Sequence, residues 1–138
     1  MKTLRLILAL LALTFVLAPQ STRTAFAERK KGYGAKLISP RAGEVVMPGT
    51  VVRVEWTAAF PDVDLTMCET EILLSIDGGA TFTYITSQRD PSVQYFNWVV
   101  PRTPTRMAIL DIRFGCLNLY PETSSAQVQS TFVISPMN

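Results

Sequence analysis

The chain contains no histidine. That absence removes the imidazole base from any Ser-His-Asp or Cys-His arrangement. It also removes the commonest ligand of zinc and copper sites. Cysteine occurs only at Cys68 and Cys116, and two thiolates do not complete a zinc site. Helical spacing of apolar residues is missing from every long stretch after residue 27, which argues against a helical fold. Paired carboxylates can hydrolyse glycosides when they flank one bond, yet the acids here fall at outward strand positions or in loops. The expectation is a non-catalytic protein with no cofactor and no metal.

What is present begins with a segment to be set aside. Lys2 and Arg5 give a positive start, residues 6–18 (LILALLALTFVLA) form an apolar run, and Ala25-Phe26-Ala27 places small residues where a signal peptidase cuts. The run is short for a membrane span, which needs about 20 residues. Residues 1–27 therefore read as a signal peptide, with an uncleaved N-terminal anchor as the alternative. No cysteine directly follows the run, which argues against lipid attachment. Without these residues the chain holds ten basic against eleven acidic side chains, a net charge of −1. A near-neutral surface has little long-range pull on nucleic acid. The remaining basic cluster, Arg29-Lys30-Lys31, lies in a leader, residues 28–35, expected to be flexible and solvated. Residues 36–136 form the expected domain, long enough to bury one core.

The rhythm of that domain is short β-branched and aromatic runs cut by Pro, Gly, Asp and Asn, as in an all-β sandwich of seven to eight strands. Expected strands cover residues 36–39, 51–57, 69–76, 81–86, 95–100, 108–116 and 127–134, with residues 44–46 continuing the first. Val52, Val54 and Trp56 share one face, with Arg53 and Glu55 on the other. Ile72, Leu74 and Ile76 point inward, as do Ala108, Leu110, Ile112, Phe114, Phe132 and Ile134. Trp56 and Trp98 share the parity of the core, whereas Tyr33, Tyr95 and Tyr120 are candidates for exposure. Residues 58–67 and 117–125 read as loops.

Leu37-Ile38-Ser39-Pro40 with Gly43-Glu44, Pro48-Gly49-Thr50, Val54-Glu55-Trp56, the stretch from Leu74 to Phe82, Phe96-Asn97-Trp98-Val99-Val100-Pro101 and Phe132-Val133-Ile134 form a series of short runs. Together they resemble a secreted bacterial Ig-like module of fibronectin-III type. The resemblance covers about Leu37 to Pro136. Val46 and Phe82 stand where the pattern has tryptophans, and the two cysteines are additions to it. The resemblance implies an antiparallel sandwich used as a spacer, adhesion or binding unit, and it implies no catalytic residues.

The cysteines test this layout. In an immunoglobulin-like order the third and sixth strands are antiparallel neighbours, and Cys68 and Cys116 fall at their shared end. Pairing them directly sets Leu74 opposite Leu110 and Ile72 opposite Ile112 in the core, and Glu71 opposite Arg113 outside as an opposite-charge pair. A one-residue slip would turn core side chains into water. In an exported chain an even pair of cysteines reads as one disulfide.

Ser75-Ile76-Asp77-Gly78-Gly79-Ala80-Thr81-Phe82 fits the Asp-box pattern of some secreted carbohydrate-active enzymes. Those folds need several blades and hundreds of residues. Here each residue has a turn to make. Asp77 accepts from backbone amides, Gly78 and Gly79 supply positive φ, Ser75 and Thr81 bond from either side, and Phe82 packs the returning strand onto the core. Asp62, Asp64 and Glu69 fall short of the six or more oxygens calcium takes. The expected function is an exported binding, adhesion or structural module of the cell envelope or extracellular space. Its expected partner is a protein or an envelope polysaccharide, met by the loops 58–67 and 117–125. The alternatives are a small carbohydrate-binding module and an accessory or inhibitor domain of a secreted enzyme.

Overall fold

The computed structural model describes residues 32–127 and 129–136. The expected signal peptide and residues 28–31 of the leader lie outside them. Among the described residues there are nine strands and one short 3-10 turn, with no α-helix. In chain order they are β1 (Gly34–Ser39), β2 (Val45–Val46), β3 (Val51–Ala59), the turn Leu65–Met67, β4 (Cys68–Ser75), β5 (Thr83–Gln88), β6 (Tyr95–Val99), β7 (Thr105–Cys116), β8 (Tyr120–Thr123) and β9 (Phe132–Ile134).

Two sheets form. One has the order β1-β3-β6; the other runs β2-β9-β7-β4-β5, with β8 also pairing β7. Alternation explains how they meet. Val54, Trp56 and Trp98 leave one face of the first sheet, and Ile72, Leu110, Ile112, Phe114, Phe132 and Ile134 leave one face of the second. All nine are buried and belong to one apolar cluster. Trp98 meets Phe132 edge-on across the layers, with ring centroids 6.1 Å apart and planes at 89°. The molecule is therefore a β-sandwich.

The β4–β7 pairing has the register expected from the cysteines. Cys68 opposes Cys116, Ile72 opposes Ile112, Leu74 opposes Leu110 and Glu71 opposes Arg113. The sulfurs are bonded, with S–S 2.01 Å and Cα atoms 4.0 Å apart. This crosslink joins neighbours within one sheet.

Other details differ from the sequence reading. Residues 45–46 do not continue β1. They form β2 in the other sheet, parallel to β9, so the chain changes layer at residues 40–44. Ile76 is exposed, because β4 stops at Ser75, whose buried hydroxyl is taken by the following turn. Tyr33 is buried: its ring stacks on Phe114 at 5.0 Å and its hydroxyl donates to the Ile112 carbonyl at 3.2 Å. Burial, then the nearby Asp111 charge, pushes the Tyr33 phenol well above its ordinary pKa. Strand β1 starts at Gly34, ahead of the expected residue 36. Among the described residues of 127–134 only Phe132–Ile134 is strand, and buried Gln129 replaces a ladder ahead of it. Its Oε1 accepts from Leu37 N at 2.8 Å, and its Nε2 donates to Ala35 O at 3.1 Å. One amide side chain thus satisfies two β1 backbone groups that a neighbouring strand would otherwise take.

Candidate functional site

The two ends of the sandwich are built differently. At one end the hairpin from β4 to β5 turns on Asp77, which the sequence assigned to turn-making. Its carboxylate accepts from Thr81 N at 2.9 Å, from Thr81 Oγ1 at 2.6 Å and from Ser75 Oγ at 2.7 Å. Ser75 Oγ in turn accepts from Gly79 N at 2.8 Å. Gly78 and Gly79 have φ of 74° and 95°, the left-handed region where a Cβ is disfavoured. The Thr81 bonds first, then Ser75, hold the Asp77 carboxyl well below the usual carboxylate range. Ser75, Asp77, Gly79 and Thr81 are thus engaged with one another, while Gly78 N donates to Met107 O of β7 at 3.1 Å. Phe82 does not reach the core. It lies half-buried on the outer surface, 5.9 Å from the Arg113 guanidinium. Arg113 stands at an outward position of β7, so the turn delivers Phe82 to that face.

The other end carries the disulfide, and here the two expected loops meet. Asp64 opens the 3-10 turn by accepting from Thr66 N at 3.0 Å and Thr66 Oγ1 at 2.7 Å. Those two bonds hold its carboxyl below the ordinary value. Asp64 therefore has a capping task, and among the described residues no group of three or more acids, cysteines or histidines converges to hold a metal.

Opposite this turn, residues 117–125 are not a plain loop. Leu119 N donates to Cys116 O at 3.2 Å, Asn118 takes a φ of 59°, and the chain returns as β8 alongside β7. Asparagine tolerates that left-handed position better than most side chains. The reversal leaves Leu117 and Leu119 on its tip, both exposed. Met67, exposed as well, faces them from the 3-10 turn, and Leu117 N donates to Met67 O at 3.3 Å. Cys68 follows Met67 and Cys116 precedes Leu117, so the crosslink fastens both walls at their bases.

Between the walls lies an open groove of about 890 Å³. Its bed is the outer face of β4 and β7. Gly115 contributes no side chain there; a Cβ at that position would stand 3.3 Å from Glu122 Cα. Glu69 and Glu71 enter from β4 and Glu122 from β8. The sequence register set Glu71 against Arg113 as an ion pair, and the register is present without the pair. Arg113 instead bonds Asp111 at 3.0 Å on its own strand and Glu122 at 3.3 Å. Buried Asp111 is the deeper partner, also accepting from Ser125 N at 3.0 Å, and it outcompetes Glu71 for the guanidinium. Burial, then Glu122 and Glu69, raises the Glu71 carboxyl above the ordinary value, opposed by Arg113.

The exposed tyrosines are dispersed, whereas Tyr33, Phe60, Phe114 and Tyr120 cluster at the core. Exposed Tyr95 lies on β6 of the first sheet under the Arg53 guanidinium, 3.8 Å from its ring centroid. Exposed Tyr84 lies on β5 of the second sheet. Tyr120, half-buried, packs on Phe114. These rings do not share a face. Among the described residues no helix is long and apolar enough to cross a membrane.

No family model matches the chain, and no curated protein matches it either. The residues that sequence reasoning missed at this end are Met67, Leu117, Leu119 and Gly115. The signal for the first three was available: apolar residues bracketing each cysteine in segments otherwise read as loop. Gly115 carried no such signal, since its role depends on which strand lies beside it.

Proposed function

We propose that the chain is an exported, non-catalytic Ig-like module that binds another macromolecule through the groove at its disulfide-bearing end. The strand order β1-β3-β6 facing β2-β9-β7-β4-β5 supports the Ig-like reading. The crosslink supports a compartment outside the reducing cytosol. One observation carries the functional reading: Met67, Leu117 and Leu119 are held exposed around a groove whose walls are covalently fastened. Exposed apolar side chains grouped on one rim mark interaction sites better than scattered ones, and a preorganised rim loses little conformational entropy on binding. The dispersed tyrosines favour this reading over a carbohydrate-binding face, which needs rings aligned on one surface.

The test is saturable binding of the domain to envelope or extracellular material of the cell that makes it. The L117S/L119S variant should lose that binding with an unchanged near-ultraviolet spectrum, while V51T/V99T, at the opposite end of the sandwich, should keep it. Equal binding by both variants removes the groove from the account.

A further inference from the structure

The groove's charge says what kind of partner it fits. Its bed presents Glu69, Glu71 and Glu122, while its rim is aliphatic. The local cations, Arg113 and Arg89, already have acidic partners. Arg113 is held by Asp111 and Glu122, and Arg89, itself highly exposed, only grazes Glu69 at 3.9 Å. None of the ion pairs among the described residues includes Glu71. Asp62 and Asp64 lie on the loop leading into the groove and add to the same sign of field. A carboxylate crowded by two others is stabilised by any cation that enters, and more so where part of its hydration is already lost.

We propose that the occupant of this groove is a peptide segment of a protein partner in which a lysine or arginine is flanked by aliphatic side chains. This rests on the groove being the binding surface and names the partner class for it. The cation meets Glu71 between Glu69 and Glu122, and the flanking side chains cover Met67, Leu117 and Leu119. Gly115 lets β8 lie close against β7, because a Cβ there would stand 3.3 Å from Glu122 Cα, and this brings Glu122 to the bed. An extended segment suits the arrangement, since its successive side chains point alternately to the bed and away from it. Electrostatic attraction steers such a segment in and fixes its register, and the aliphatic contacts supply the burial that an exposed ion pair lacks.

The experiment is a titration of the isotopically labelled chain with an end-blocked peptide of sequence Gly-Leu-Arg-Lys-Leu-Gly, followed by backbone amide shifts. The expected result is saturable shifts confined to the groove, at Met67, Glu69, Glu71, Gly115, Leu117, Leu119 and Glu122. E71Q should weaken the interaction about fivefold, the factor given by one exposed ion pair at the top of its range, and added salt should weaken it further. Replacing the peptide's Arg-Lys by Gln-Gln should have the same effect as E71Q. No shifts at millimolar peptide overturns the proposal, as does binding indifferent to E71Q and to salt, which would make the groove simply apolar. Binding seen only in the R29Q/K30Q/K31Q variant also overturns it, because the chain's own basic run would then be the occupant. The failures remain distinguishable: loss of peptide binding with L117S/L119S-sensitive envelope binding intact rejects the partner class and leaves the groove.

Discussion

Breaking the bond between Cys68 and Cys116 should cost the domain a large part of its stability and, separately, loosen the groove. The sulfurs join residues 48 apart in sequence. In the chain-entropy treatment, a loop of that length restricts the unfolded ensemble by about 4 kcal/mol at room temperature. Net stabilities of domains this size run at roughly 5–15 kcal/mol, so reduction removes a quarter or more of the total. The corresponding fall in Tm is roughly 15–30 °C. The C68A/C116A variant is one form of the test, although it also deletes two buried sulfurs. Reduction and maintenance in a thiol buffer keeps both side chains and isolates the crosslink. Denaturant unfolding of oxidised and reduced protein, followed by tryptophan fluorescence from Trp56 and Trp98, gives the difference. A loss smaller than about 1 kcal/mol would refute the loop-entropy reasoning. The structural half is read by amide exchange. The Leu117 amide, bonded to Met67 O across the crosslinked walls, should exchange faster after reduction under conditions where the β4–β7 core amides remain protected. Unchanged protection at Leu117 would show that the crosslink does not hold the groove.

Three further perturbations follow from named contacts. Asp77 has a depressed pKa in the fold, so its contribution is fully present above the ordinary aspartate value of about 4 and is lost as pH falls through its lowered one. D77N should therefore lower Tm at neutral pH, with the gap to the native chain closing on strong acidification; a gap that does not depend on pH contradicts the turn chemistry. Gln129→Leu strips Leu37 N and Ala35 O of their partner and should cost roughly 1–3 kcal/mol in denaturant unfolding, the penalty for an orphaned buried group. Gly115→Val presses a side chain against Glu122 Cα and should both destabilise by about 1–3 kcal/mol and abolish groove binding; retained binding would mean that the bed of the groove is not used.

Much of the layout was readable from alternation alone. The run of Ala108, Leu110, Ile112 and Phe114 admits one inward face, and fixing Cys116 against Cys68 leaves one register for β4 on β7. The Asp77 turn was readable because the bonds its carboxylate makes, to Ser75 and Thr81, are local. What escaped was set by groups distant in sequence. Gln129 lies far along the chain from the β1 groups it bonds, and nothing near it marks it as a structural partner. Tyr33 is buried because Phe114 offers it a stacking surface, a contact that no local pattern encodes. The preference of Arg113 for Asp111 over Glu71 depends on the depth of Asp111, which the return of the chain at Ser125 creates. At the groove, the disulfide and the two segments were legible, but their apolar tips were hidden by reading polar-flanked stretches as uniform loop. β8 in particular has only four residues and takes its strand character from β7 beside it.

The most direct test of the groove as the recognition surface is hydrogen–deuterium exchange of the intact domain in the presence and absence of saturating partner material. Protection should gather on residues 64–71 and 115–122, on both sides of the crosslink. Protection confined to the outer face of β3 and β6 around Arg53 and Tyr95, or to the Asp77 turn at the far end, would place recognition elsewhere and contradict the account.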